Sequence, residues 1–202
     1  MGVLADSLSP ALVSAAPAGT GVRGVAALSA RVAYAFMCLT LCWGVLTTTG
    51  WAHRLAGRRT VRGGHLVLAT ITLCFGTIHA LSYRFLGPDS LGLPTLMVPL
   101  LPGSLLRHTL GVVGLQLMLA IALTAGLYRW TAYRRWIWLH RTAYLAFLLL
   151  VLHSLFGAIA GGSLAVLWLG GTTLLVPAVT LAALRFLPTR TLKRFGILEE
   201  RV

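Results

Sequence analysis

Six histidines stand in a chain of 202 residues that holds only four acidic side chains. They are His53, His65, His79, His108, His140 and His153. His53 lies in a basic stretch and reads as solvated. The other five lie in, or at the ends of, long apolar runs. Ionisable side chains at membrane depth are costly and usually mark a function. A lone histidine there often only hydrogen-bonds a neighbouring helix, so the spacing carries the signal. His65 and His79 are 14 positions apart, and His140 and His153 are 13 apart. At 1.5 Å per residue these separations are ~21 Å and ~20 Å along a helix axis. On two parallel helices His65 can therefore be level with His140, and His79 with His153. Each level presents two imidazoles, which is an axial ligand set for two haems, one toward each membrane face.

Haem is favoured over a bare metal ion. Two imidazoles with no acidic partner in any apolar run make a poor site for zinc or a hard cation. Two ligand levels ~20 Å apart would leave stacked gaps that a macrocycle fills. Gly63, Gly64, Gly76 and Gly157 leave room near the histidines for a flat ring. The sequence has no CxxCH, so the expected haems are b-type, held by ligation and packing. Haem propionates favour the interfaces. Arg62 and Arg141, with Arg58 and Arg59, are candidate contacts at one face, and Arg84, Arg107 and His108 at the other. Membrane topology accounts equally well for each of these arginines. The remaining difficulty is helical phase. At 100° per residue, 14 positions return to within roughly 40° of the same face, but 13 positions miss by roughly 140°. Both histidines of the second pair can face the first only if their helix is tilted or distorted, or if side-chain reach compensates.

The rest of the chain is built to hold such residues in a bilayer. Hydrophobic residues make up 57% and charged residues 10% of the sequence, with a mean hydropathy of +0.85. An ordinary soluble domain is about 25% charged, so a water-soluble globule and a disordered chain are both excluded. The expected fold is all-α: a polytopic membrane helix bundle of five transmembrane helices. The expected spans are about Val25 to Gly50, Gly64 to Leu86, His108 to Tyr128, Trp136 to Ala160 and Ser163 to Leu187, each long enough for a core of ~30 Å. Residues 1–22 read as a flexible N-terminal tail, residues 23–188 as the membrane domain and residues 189–202 as a short charged tail. Gly87 to Gly103 is apolar but carries Pro88, Pro94, Pro99 and Pro102, and it reads as a loop or shallow re-entrant segment resting on the bundle. It follows the span that ends near His79, so it is expected to cap the site on that side.

The net charge of +13 would suggest nucleic acid in a soluble protein, but here it reads as topology and no nucleic-acid partner is expected. Basic residues cluster after the first, third and fifth spans, which must share one face. By the positive-inside bias that face is cytoplasmic, leaving the N-terminus outside and the C-terminus inside. Trp51, Tyr83, Trp130, Tyr133, Trp136 and Trp138 fall at span ends, as interfacial aromatics do. Cys38, Cys42 and Cys74 lie within apolar runs and form no CxxC pair, so they read as packing residues.

The two stretches HLVLATITLCFGTIH (His65 to His79) and HRTAYLAFLLLVLH (His140 to His153) resemble the ferric reductase-like transmembrane family, which includes the membrane portion of NADPH oxidases. That family carries H-x13-H and H-x12-H pairs on two helices. RRWIWLHRTAYLAFLLLVLH also looks like the haem-binding membrane subunit of the bacterial methionine sulfoxide reductase system. The resemblance covers about Ala27 to Leu187. It implies that His65 and His140 ligate an inner b haem and His79 and His153 an outer one. Electrons would enter from a cytoplasmic donor and leave to an acceptor outside, such as ferric iron, oxygen, a quinone or a redox protein. The implied localisation is the plasma membrane. Oxidases of the family continue into a flavin and nicotinamide domain; this sequence ends 15 residues after Leu187. No flavin is expected on this chain, and a separate cytoplasmic flavoprotein or iron–sulfur protein is the expected donor. Two other classes compete. One is a transporter or proton relay that uses intramembrane histidines without haem, against which stands the lack of Asp or Glu in the spans. The other is a structural subunit whose histidines only hydrogen-bond neighbouring helices.

Overall fold

Four apolar stretches form helices long and apolar enough to cross a membrane: Gly21–Thr47, Arg59–Phe85, Leu106–Gly126 and Arg134–Ala160. In the computed structural model, which describes residues 20–49, 57–127, 133–162 and 164–186, every regular element is helical. The helices are α1 (Thr20–Thr49), α2 (Arg58–Ser82), α3 (Leu93–Met97), α4 (Leu106–Gly126), α5 (Tyr133–Arg141), α6 (Ala143–Ala160) and α7 (Leu164–Phe186). Residues 1–19 of the expected tail, the loop around Arg54, the loop around Arg129 and the residues after 186 lie outside the described residues.

Helix α1 starts at Thr20, inside the stretch expected to be a flexible tail. Gly19-Thr20-Gly21-Val22-Arg23-Gly24 has GxGxxG spacing. It opens a membrane-length helix in an all-α chain, so it lacks the strand-to-helix context of a dinucleotide site.

Helix α1 packs along α2, α4 packs along α6, and α7 lies against α1 and α6. Met37, Cys38, Phe147 and Ala178 form a buried cluster where α1, α6 and α7 meet. Many large apolar residues point outward instead, among them Leu66, Leu123, Leu148 and Phe186. Lipid is as apolar as leucine, so bundle cohesion must come from close packing and hydrogen bonds between helices. Both occur. Thr40 and Thr72 hydroxyls meet at 3.2 Å between α1 and α2, and the Trp43 indole N–H donates to the Val61 carbonyl at 2.8 Å. On α4, a Cβ added at Gly114 would lie 2.7 Å from Leu150 Cγ on α6. Gly114→Ala is therefore expected to push these helices apart, at a cost of about 1–3 kcal/mol. A thermal-unfolding midpoint in detergent equal to that of the parent protein would show the contact to be slack.

The proline-rich stretch is a folded cap, in keeping with the loop expected there. It runs through two 3₁₀ turns, Tyr83–Phe85 and Gly87–Asp89, and then the short α3. The Leu91 N–H donates to the Tyr83 carbonyl at 3.0 Å, turning the chain back over the end of α2. Gly87 makes that reversal at φ +68°, where a side chain would be strained. The Gln116 side-chain amide on α4 donates to the Met97 carbonyl and ties the cap to the bundle.

The expected fourth span, Trp136 to Ala160, is two helices. Thr142 separates α5 from α6. Its N–H donates to the Leu139 carbonyl at 3.0 Å, three residues back, and its hydroxyl donates to the same carbonyl at 2.6 Å. This tight turn bears on the phase problem in the right direction. Chain wound at three residues per turn gains ~20° per residue over an α-helix. It thus closes part of the roughly 140° shortfall between His140 and His153.

Candidate functional site: two facing pairs of imidazoles

The structure brings the four histidines together as two pairs. The rings of His65 and His140 have centroids 6.0 Å apart and an interplanar angle of 68°. Those of His79 and His153 are 6.1 Å apart at 70°. An imidazole nitrogen lies ~1.1 Å from its ring centre, and metal–imidazole bonds are ~2 Å, so two imidazoles on opposite sides of one metal place their centroids about 6 Å apart. Simple edge-to-face contacts fall in the same range. The surroundings separate the two cases. Helix α2 makes few direct contacts with α5 or α6, and the His79–His153 pair opens onto a cavity.

At the His79 level the rings border a cavity that is only partly enclosed. Its walls are mainly apolar residues of α1, α2, α4 and α6, and both imidazoles reach it. Leu91, Thr95 and Leu96 of the proline-rich segment line one side of it. Among the described residues no three His, Cys, Asp or Glu side chains converge on one point. Each level thus offers two donors, which suits a metal whose remaining ligands come from a macrocycle.

The protonation pattern also suits that use. His79 Nδ1 lies 2.9 Å from the Ala26 carbonyl, and His153 Nδ1 lies 2.6 Å from the Arg107 carbonyl. A carbonyl oxygen only accepts, so both Nδ1 atoms carry the proton and both Nε2 atoms keep a lone pair. This is the arrangement in which metal-ligating histidines are usually found. At the other level the Nδ1 atoms of His65 and His140 are buried and make no hydrogen bond. The Thr40 carbonyl faces the His65 ring, but Nδ1 misses hydrogen-bond geometry with it. The Trp136 indole stacks on the His140 ring, 5.1 Å between centroids at 23°.

The residues named from sequence as propionate contacts separate into two groups. His108 lines the cavity, and the Arg107 Nε–H points to His108 Nε2 at 3.4 Å. Tyr83 lies between them and the His79–His153 pair, with its ring 5.3 Å from His79 and 6.5 Å from His108. Arg62, Arg84 and Arg141 are exposed. The Arg141 guanidinium lies over the Trp138 ring, 4.9 Å from its centroid. Of the glycines expected to make room, Gly76 lines the cavity, Gly63 and Gly157 border open space, and Gly64 is taken up by Trp43.

Two further glycines lie against the paired rings. A Cβ at Gly44 would sit 3.2 Å from His65 Cε1, and one at Gly111 would sit 2.8 Å from His153 Cε1 and Nδ1. Both lie on helices that carry no paired histidine. Their only sequence signal is a bare position on an apolar helix, which many glycines share. Comparison with protein-family models, curated proteins and solved structures finds no match to this chain.

Proposed function

We propose that the chain is a membrane electron-transfer subunit that binds two b-type haems, one between His65 and His140 and one between His79 and His153. The observation that carries this is the repetition of the 6 Å facing imidazole pair at two levels of one bundle. The resemblance to ferric reductase-like membrane domains supports it. Haem held by these histidines would supply reversible one-electron chemistry.

The chain's own residues have distinct tasks. The four histidines donate Nε2 lone pairs. Apolar walls of α1, α2, α4 and α6 exclude water and hold the site dry. His108, backed by Arg107, offers a polar contact for an acidic group at one end of the cavity. Helix α7 is the fifth span, the end of the bundle near Arg62 and Arg141 faces the cytoplasm, and the plasma membrane is the location. The basic residues there suit an acidic donor, a separate flavoprotein or iron–sulfur protein. The acceptor approaches at the capped end.

A vesicle assay tests this function. Haem-loaded protein is placed in lipid vesicles that enclose ferricyanide, and dithionite is added outside. Enclosed ferricyanide should be reduced far faster than in protein-free vesicles. Equal rates in both would refute transmembrane electron transfer.

A further inference from the structure

Three of the four paired imidazoles rest on a helix that provides no ligand, and two of these seats share one design. His153 lies on Gly111 of α4, with its Nδ1–H directed to the carbonyl of Arg107, four residues earlier. His65 lies on Gly44 of α1, beside the carbonyl of Thr40, again four residues earlier. In a helix a side chain covers the turn that precedes its own Cα. A residue at i+4 therefore shields the carbonyl of residue i, whose first lone pair the helix already uses. Glycine at i+4 uncovers the second lone pair, and an imidazole can then lie flat against the helix and donate to it. His79 uses α1 in a related way through the Ala26 carbonyl, with Ala30 four residues later on the cavity wall.

The seats are not equally complete. At the His79–His153 level both Nδ1–H groups are bonded to carbonyls. At the His65–His140 level neither is. A bonded Nδ1–H gives its ring imidazolate character, raises the basicity of Nε2 and strengthens its hold on an oxidised metal. Second-shell bonding of this kind is one of the levers that sets haem potential.

We infer that the Arg107–Gly111 seat on α4, together with the Ala26 carbonyl on α1, makes the His79–His153 level the tighter and lower-potential of the two sites. Gly111 is here a positioning residue: it touches no metal and acts through the tautomer and ring plane of His153. This inference rests on the di-haem reading above. Arg107 stands beside the His79–His153 level, and its positive charge opposes this effect, since nearby positive charge favours the reduced iron. The seat must therefore be isolated by substitution.

The test is a spectroelectrochemical titration of the haem-loaded protein, its His65→Ala and His79→Ala variants, and Gly111→Ala. The haem left in His65→Ala should titrate below the haem left in His79→Ala. Gly111→Ala should leave one component of the parent titration in place and move the lower one upward. Its low-potential haem should also be lost about 10–100-fold more readily to apomyoglobin, a haem acceptor. Two haems per parent chain with the opposite order in the single-histidine variants would overturn the inference and leave the di-haem reading intact. So would a Gly111→Ala protein with both components and the haem-loss rate unchanged. If Gly111→Ala does not fold, the order of the two single-histidine variants decides. A parent protein without haem would instead refute the underlying reading.

Discussion

His79→Ala is expected to lower the haem content from two per chain to one and to reduce transfer into ferricyanide-loaded vesicles at least ten-fold. The remaining haem should still be reduced directly by dithionite. The expectation follows from the ring pairs: among the described residues each level offers two protein donors, and removing one would leave a haem there with a single protein ligand. Losing a ligand costs more than losing a supporting contact, which alone costs 10–100-fold in affinity. His153→Ala should reproduce the spectrum of His79→Ala. His65→Ala and His140→Ala should share a second spectrum, missing the other component. This grouping tests the pairing itself. If His79→Ala and His140→Ala lose the same component, the ligands are paired wrongly. If all four single variants keep two haems, the histidines are not the ligands.

A second large effect is expected from one inserted residue. An alanine inserted after Thr142 adds ~100° of rotation and ~1.5 Å of rise between His140 and His153. On an ideal helix this would improve matters, because a 14-residue spacing returns closer to one face than a 13-residue spacing. The structure points the other way. With the Thr142 turn in place, His140 meets His65 and His153 meets His79 at nearly equal distances. The insertion should move one ring out of its pair and lower haem content to about one per chain. Full haem content with an unchanged spectrum would mean that the turn is pliable and does not set the phase of the two ligands. Thr142→Ala removes only the hydroxyl bond to the Leu139 carbonyl and keeps the backbone bond. A much smaller effect is expected, about 1 kcal/mol in stability.

These two predictions mark what the sequence does and does not disclose. The histidine spacings were legible because membrane depth makes an ionisable residue conspicuous and because helix rise converts position directly into level. Four of the five expected spans are helices long and apolar enough to cross a membrane, and apolar run length was their signal. The prolines between Gly87 and Gly103 announced a segment that could not continue a helix, and it folds over the cavity through Leu91, Thr95 and Leu96.

The break at Thr142 was not legible as such. The phase mismatch required some distortion, but HRTAYLAF offers no proline or glycine to locate it. A threonine that bonds its own preceding turn does so in many unbroken helices. The seats at Gly44 and Gly111 were hidden for a different reason. Their role depends on which helix lies alongside which, a tertiary fact, and on backbone carbonyls, which carry no sequence identity. The arginines were over-read. Counting charge by loop is a statement about faces, and it does not say that Arg141 turns onto Trp138 or that Arg107 contributes its carbonyl to His153.

The most direct measurement for the central claim is the reduced-minus-oxidised absorption spectrum of the purified chain from haem-supplied cells, with haem counted by extraction into pyridine. The account predicts a b-type, low-spin spectrum with two haems per chain, bis-imidazole in both. A well-folded, colourless protein under the same conditions would contradict it.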